Sequence, residues 1–249
     1  MKKSVFLVLL IAVGTITAFG GEFYLSAGAG CLSGAFFTRY TLSASGVVQA
    51  APIKIEASQE TNQVNYGFFA FIDATYALLS VFYQNGLYTY TETADISAFS
   101  NNILQSGKGR ESVVGISLLG KYPFTINERL IVFPLLGMDY QISLIQKRTQ
   151  PDGFMYNRTD GLREQDKDGN AYRLDDWNSL WVNIGGGLDY ILTGNFFLRG
   201  ELLYGFRLMT PYETKNLDLM KSQANDPKPK LGGLTSGPSL RLCAGYCFL

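Results

Sequence analysis

The sequence predicts an all-β protein: a closed eight-stranded antiparallel up-and-down transmembrane barrel, preceded by a cleavable signal peptide. Three observations predict it. Apolar and polar residues alternate with a period of two over long segments, which is the strand signal. Those segments exceed the roughly five or six residues of a soluble strand and reach the roughly 9–11 that a membrane-spanning strand needs. The connections alternate between short and long, as turns on one side of a membrane and loops on the other do.

The clearest segment is a candidate hairpin, Trp177 to Thr210, reading WNSLWVNIGGGLDYI-LTGN-FFLRGELLYGFRLMT. On the first arm Leu180, Val182, Ile184, Leu188, Tyr190 and Leu192 alternate with Trp181, Asn183, Gly185, Gly187 and Asp189. On the second, Phe196, Leu198, Leu202, Tyr204, Phe206 and Leu208 alternate with Arg199, Glu201, Gly205 and Arg207. Both apolar faces fall on even numbers, so paired residue numbers must sum to an even number, because a slip of one turns a whole face over. A three-residue turn at Thr193-Gly194-Asn195 then pairs Leu192 with Phe196, sets Asp189 opposite Arg199, and sets Trp181 opposite Arg207.

In chain order, the first twenty residues carry Lys2 and Lys3, an apolar run from Val5 to Val13, and a small-x-small site at Ala18-Phe19-Gly20. That is a secretory signal peptide, cleaved near Gly20. Residues 21–249 form the barrel. Its strands are expected at Glu22 to Ser43, Asn62 to Ala74, Leu78 to Thr93, Ser112 to Pro123, Arg129 to Ile145, the two arms of the hairpin, and Pro238 to Leu249. Long loops are expected at about 44–61, 94–111, 146–176 and 212–236. Val47 to Ile55 alternates weakly, so the first of these extends as a hairpin above the membrane. Pro134 falls inside the fifth strand; it lacks a donor, and a closed barrel has no edge to place it on, so a bulge is expected there. Aromatics gather beside the short turns, at Phe23, Tyr76, Tyr122, Phe124, Tyr190, Phe196, Tyr246 and Phe248, where an interfacial girdle belongs.

Composition agrees. Formal net charge is zero, charged residues are 17% of the chain, aromatics 14%, and there are 27 glycines. Nothing there favours a nucleic-acid partner. A signal peptide joined to β periodicity points to a bacterial envelope. Three cysteines are an odd count. Cys243 and Cys247 sit too far apart on one strand to bond each other; buried free thiols are the expectation for both and for Cys31, with a disulfide from Cys31 to one of them as the alternative.

The last strand, LRLCAGYCFL, resembles the C-terminal signal of outer-membrane proteins: Gly245, then alternating aromatics at Tyr246 and Phe248. That signal normally ends on the aromatic, whereas Leu249 follows here. In plan the mature chain is similar to the small eight-stranded families OmpW, OmpX and the OmpA barrel domain. The resemblance implies residence in the outer-membrane lipid after insertion by the barrel-assembly machinery.

The inward side chains expected to line the lumen are Asp73, Lys121, Asp139, Trp181, Asp189, Arg199, Glu201, Arg207 and Arg241. An eight-stranded lumen is just wide enough for side chains to fill it. Mutually paired charges would block flow. An OmpW-like conduit would instead need an apolar upper lumen, for which Trp181, Phe69, Phe71 and Phe82 are candidates. Asp166, Asp168, Asn170 and Asp175 cluster in the longest loop and could offer oxygen ligands to calcium, but the glycine falls in the wrong place for an EF-hand, and a solvated acidic turn is the simpler reading. The chain has no histidine, which removes Ser-His and Cys-His pairs and His-bound zinc. No cofactor and no enzyme activity are expected. Three functions remain: a narrow conduit or binding site for small lipophilic solutes, a plugged barrel serving as structural protein or adhesin toward host surface molecules, and a soluble exported lipocalin-like binder with its apolar face inside.

Overall fold

A computed structural model describes residues 24–48, 51–96, 101–148, 155–157, 164–165, 171–172, 177–208 and 230–248. The strands run β1 (Leu25–Val48), β2 (Ala51–Ala74), β3 (Ala77–Ile96), β4 (Asn101–Lys121), β5 (Phe124–Asn127), β6 (Leu130–Arg148), β7 (Met155–Asn157), β8 (Glu164–Gln165), β9 (Ala171–Tyr172), β10 (Ser179–Ile191), β11 (Phe196–Arg207) and β12 (Lys230–Cys247). Each long strand pairs antiparallel with its neighbours in the order β10-β11-β12-β1-β2-β3-β4-β6, and β10 pairs back onto β6. The sheet is therefore a ring of eight long strands. β5 continues the β4 side of β6 in the same register, and β7 adds to the far end of β6.

The hairpin register is the one that parity and the three-residue turn together give. Asp189 faces Arg199, Trp181 faces Arg207, and the Leu192 amide donates to the Phe196 carbonyl at 2.9 Å. Gly194 takes the left-handed conformation at φ 55° that closes the turn.

Strand parity decides which face is wet. Leu136 (60% exposed), Phe68 and Leu202 (62% each) point outward, and so do Val81, Ile116, Met138, Ile184 and Leu240. Far more large apolar side chains point out than in. In water such a belt would far exceed the apolar patch of a few hundred Å² that a soluble monomer tolerates. This overturns the lipocalin-like reading, whose apolar face would line the inside. At the short-turn end the outward aromatics touch in series. Tyr76 and Tyr122 lie 5.9 Å apart, Tyr122 and Phe124 5.0 Å, Phe196 and Tyr246 5.0 Å, and Tyr246 and Phe248 5.3 Å.

Three expectations need correction. The segments 44–61 and 94–111 are mostly strand, not loop: β1 and β2 pair up to Val48 and Ala51, and β3 and β4 up to Ile96 and Asn101. Likewise β12 begins at Lys230, inside the fourth expected loop. The hairpin expected from the weak alternation of Val47 to Ile55 is present as the end of β1 and β2; the other segments have lost the apolar stripe, because they stand clear of lipid, and so they escape a search for it. Second, β6 runs through Pro134 without a shift against β10, where Pro134 faces Gly186. Its missing donor falls instead where the β4 ladder lapses between Lys121 and Phe124, at Tyr122–Pro123. The bulge of β6 lies higher, where the register shifts between Ser112 and Val113. Third, Cys31 is exposed on the outer face while Cys243 is buried. They sit on paired strands but on opposite faces of the sheet, so they cannot bridge.

The wall has uneven height. β1 and β2 are 24 residues each, whereas β10 and β11 are 13 and 12. A strand of that longer kind measures about 80 Å, while about 33 Å suffices to cross a ~25 Å apolar band at a tilt near 40°. β1 to β4, joined by the upper part of β12, therefore rise above one side of the mouth as a sheet.

Candidate functional site: an ionic cluster in the lumen

Inside the ring, glycines seat aromatic rings. Phe71 lies over Gly28, Phe82 over Gly115, Phe133 over Gly187 and Phe197 over Gly245, each directly across a strand pair. A Cβ on any of these glycines would fall between 2.1 and 2.7 Å from the ring it faces. No side chain larger than hydrogen fits beneath those rings. This is how a narrow ring holds so many bulky groups.

On these rings rest the buried cations. Arg199 stacks over Phe71, Phe133 and Phe197 at 4.9, 5.1 and 5.1 Å. Lys121 lies 4.4 Å from the centre of Phe133 and 5.0 Å from that of Tyr24. Arg241 lies over Phe69 and Phe82 at 5.6 and 5.9 Å. A cation over an aromatic face gains about 0.5–2 kcal/mol, more as water is excluded.

The carboxylates close the network. Arg199 Nε and Nη2 donate to Asp189 Oδ1 and Oδ2 at 2.6 and 2.8 Å, a two-pronged pair. Arg199 Nη2 and Lys121 Nζ both reach Asp73 Oδ2 at 2.5 Å. Glu201 stands between Arg199 and Arg241, held at 3.9 and 3.8 Å by charge rather than by a hydrogen bond. Arg241 Nη2 donates to Asp139 Oδ2 at 3.3 Å. The side chains of Lys121, Asp73 and Arg199 are fully shielded from solvent. Taking each ion out of water costs several kcal/mol, which only a set of mutual contacts offsets.

Above this cluster the lumen is lined mainly by neutral polar and aromatic groups, with Arg207 and Glu111 as scattered charges. Trp181 packs edge-on against Phe36 at 4.9 Å, and its ring N–H donates to Ser179 Oγ at 3.0 Å. Arg207 reaches the Tyr40 hydroxyl, and Gln63 donates to the Glu111 carboxylate. Gln84 donates to Gln141 at 3.4 Å.

Of the residues singled out in the sequence, Asp73, Lys121, Asp139, Asp189, Arg199, Glu201 and Arg241 meet in one network. Trp181 and Arg207 lie apart from it, in the upper lumen. Parity places residues on a face but not at a height, and height separates these two groups. Phe133, Phe197, Tyr24 and Phe36 were missed. Phe133 and Phe197 hide in the unbroken apolar runs LIVFPLL and FFL, where period two is invisible. A search for inward glycines directly opposite an aromatic would have found both. Asp166, Asp168, Asn170 and Asp175 lie outside the described residues, as does the signal segment. Among the described residues no cluster of Cys, Asp and Glu could hold a metal ion.

A closed antiparallel ring with its apolar face outward and its ions inside is the architecture of a small outer-membrane β-barrel. No protein-family model matches the chain, and no curated protein matches it in sequence. Among solved structures it is similar to the outer-membrane protease OmpT of Escherichia coli, at 10% identity and a TM-score of 0.36, over 92% of this chain and 99% of that one. It is also similar to the outer-membrane protein OprG of Pseudomonas aeruginosa, at 10% identity and a TM-score of 0.30, over 90% and 97%. A third is the translocator domain of the autotransporter NalP of Neisseria meningitidis, at 12% identity and a TM-score of 0.28, over 98% and 95%. Ring closure and the outward belt, rather than these distant likenesses, define the class.

Proposed function

We propose that the protein is an integral outer-membrane barrel closed to flow through its lumen, which acts at the cell surface through the sheet raised by β1 to β4. One observation carries this reading: the Lys121–Asp73–Arg199–Asp189 cluster sits in the lumen at the short-turn end with three of its side chains fully shielded and the Asp189 side chain 7% exposed. The tall side of the wall supports the surface role, since it presents paired strands well beyond the lipid to host or matrix molecules. The reading assigns no catalytic role and takes outer-membrane lipid and the barrel-assembly machinery as the partners of insertion.

The test is planar-bilayer recording of the purified, refolded protein. The reading expects no stable conductance steps; reproducible ohmic steps from the wild-type protein would refute closure. For the surface role, shortening the β1–β2 and β3–β4 hairpins should abolish adhesion to host cells while leaving the barrel folded. Undiminished adhesion would remove that role.

A second reading, a conduit for small lipophilic solutes with a sideways exit, has one observation in its favour. The β1–β12 ladder is continuous to Gly34↔Ser239 and resumes at Phe37↔Ser236, leaving Ala35 and Phe36 unpaired opposite Gly237 and Pro238. This lapse lies in the wall beside the Phe36–Trp181 contact. Uptake of a lipophilic dye into vesicles that depends on Phe36 and Trp181 would support it.

A further inference from the structure

We infer that the outer wall of β4 and β6 carries a binding site for the phosphate headgroup of a membrane lipid, formed by Arg110 and Lys147. The two residues are direct cross-strand partners. Both face outward, because their neighbours Glu111 and Gln146, also paired, turn into the lumen. Like charges set directly opposite on one face of a sheet repel and destabilise the pair. Among the described residues no carboxylate lies within ion-pair distance of either side chain, so nothing there offsets that repulsion.

The outer wall elsewhere shows what an internally balanced pair looks like. Arg39 and Glu60 are likewise direct partners, on β1 and β2, and their charges meet at 3.4 Å. Arg110 and Lys147 have two cations where that row has one of each sign.

Height selects the occupant. From Lys121, beside the aromatic girdle, β4 climbs about 28 Å to Arg110 at ~3.4 Å per residue and a tilt near 40°. That matches the roughly 25 Å apolar band of such barrels. The two cations thus stand where the belt ends and the far leaflet's headgroups begin. Leu87, the partner of Arg110 on β3, is 54% exposed, and Val114 and Ile116 continue the apolar strip below. An amphiphile with acyl chains along that strip and an anionic phosphate against Arg110 and Lys147 satisfies both parts. Arginine suits such a group because its planar fork meets phosphate oxygens in pairs, while lysine adds a point charge. A free phosphate would use the cations alone and leave the strip uncovered.

The inference rests on the membrane-barrel reading, and the experiment separates the two. Protein that stays soluble and monomeric without detergent would fail that reading before any lipid is added. The folded protein in dodecyl maltoside micelles is titrated with dioleoyl phosphatidic acid, with dioleoylglycerol, and with inorganic phosphate, and bound lipid is counted by native mass spectrometry. We expect phosphatidic acid to bind at least tenfold more tightly than either of the other two. The double variant R110Q/K147Q should lose that preference, while R39Q keeps it. The shift of heat-modified mobility on gels verifies that each variant is folded. Unchanged phosphatidic acid binding by R110Q/K147Q would overturn the site. Equal binding of inorganic phosphate would overturn the lipid as its occupant.

Discussion

The two ends of the lumen are built on opposite principles. Near the short turns, ions are buried completely and locked to one another and to aromatic faces. Toward the surface the filling is largely amide, hydroxyl and ring, with shorter-range demands on geometry. Strand connections explain the division. At the lower end the strands are joined by tight turns, and Thr75, in the left-handed region at φ 54°, is tied to the residue just before β1 by two hydrogen bonds with the Tyr24 backbone, at 2.8 and 3.0 Å. A rigid rim can hold charges to the tolerance that their burial requires. At the upper end the strands run on to different heights, and neutral groups tolerate that looseness, since a misplaced amide costs far less than a misplaced charge.

This contrast can be broken most sharply at Arg199. Arg199→Met removes the cation bound most closely to both Asp73 and Asp189 and leaves Lys121, at 2.5 and 4.0 Å, to hold the two carboxylates. The expected cost is about 3–5 kcal/mol, read as a lower midpoint in reversible urea unfolding in micelles. Adding Asp189→Asn in the same chain should recover part of it, because the two residues act as one unit; strictly additive losses would show that they do not. Next in size is Gly245→Val, which drives a side chain into the Phe197 ring. Overpacking of this kind costs about 1–3 kcal/mol, and the same measurement should show it.

Smaller effects belong to the upper lumen and the outer wall. Gln84→Leu removes one neutral hydrogen bond and leaves Gln141 unpaired by it, for about 1–3 kcal/mol at most. A loss equal to that at Arg199 would erase the distinction between the two ends. Arg39→Gln breaks an ion pair whose side chains are 75% and 60% exposed. Such pairs contribute about 0–1 kcal/mol and less in salt, so its midpoint should stay near that of the wild type at 0.5 M NaCl.

What the sequence disclosed follows the same physics. Where a strand divides lipid from lumen, alternation is clear outside runs such as LIVFPLL and FFL, and parity together with a three-residue turn set Asp189 against Arg199. Above the lipid that selection fades: Val47 to Ile55 kept a weak alternation that announced the β1–β2 hairpin, whereas Ile96 and Asn101 gave no signal that their strands continue. Pro134 was misread because its accommodation is not local: the break at Tyr122–Pro123 on another strand frees it from the ladder. The ionic residues were legible as a face, but their assembly depended on the Phe–Gly seats, which join residues distant in sequence. Arg207 shared the face and not the height, and so it meets Tyr40 instead of the cluster.

The central claim is that the apolar stripe meets lipid and the ions are walled inside. Spin labels placed singly along β11, from Leu198→Cys to Phe206→Cys in a background with Cys31, Cys243 and Cys247 replaced by serine, test it directly in reconstituted bilayers. Collision rates with oxygen, which concentrates in lipid, should peak at 198, 202, 204 and 206 and fall at 199, 201, 203 and 205. The opposite phase, or no alternation, would contradict the account.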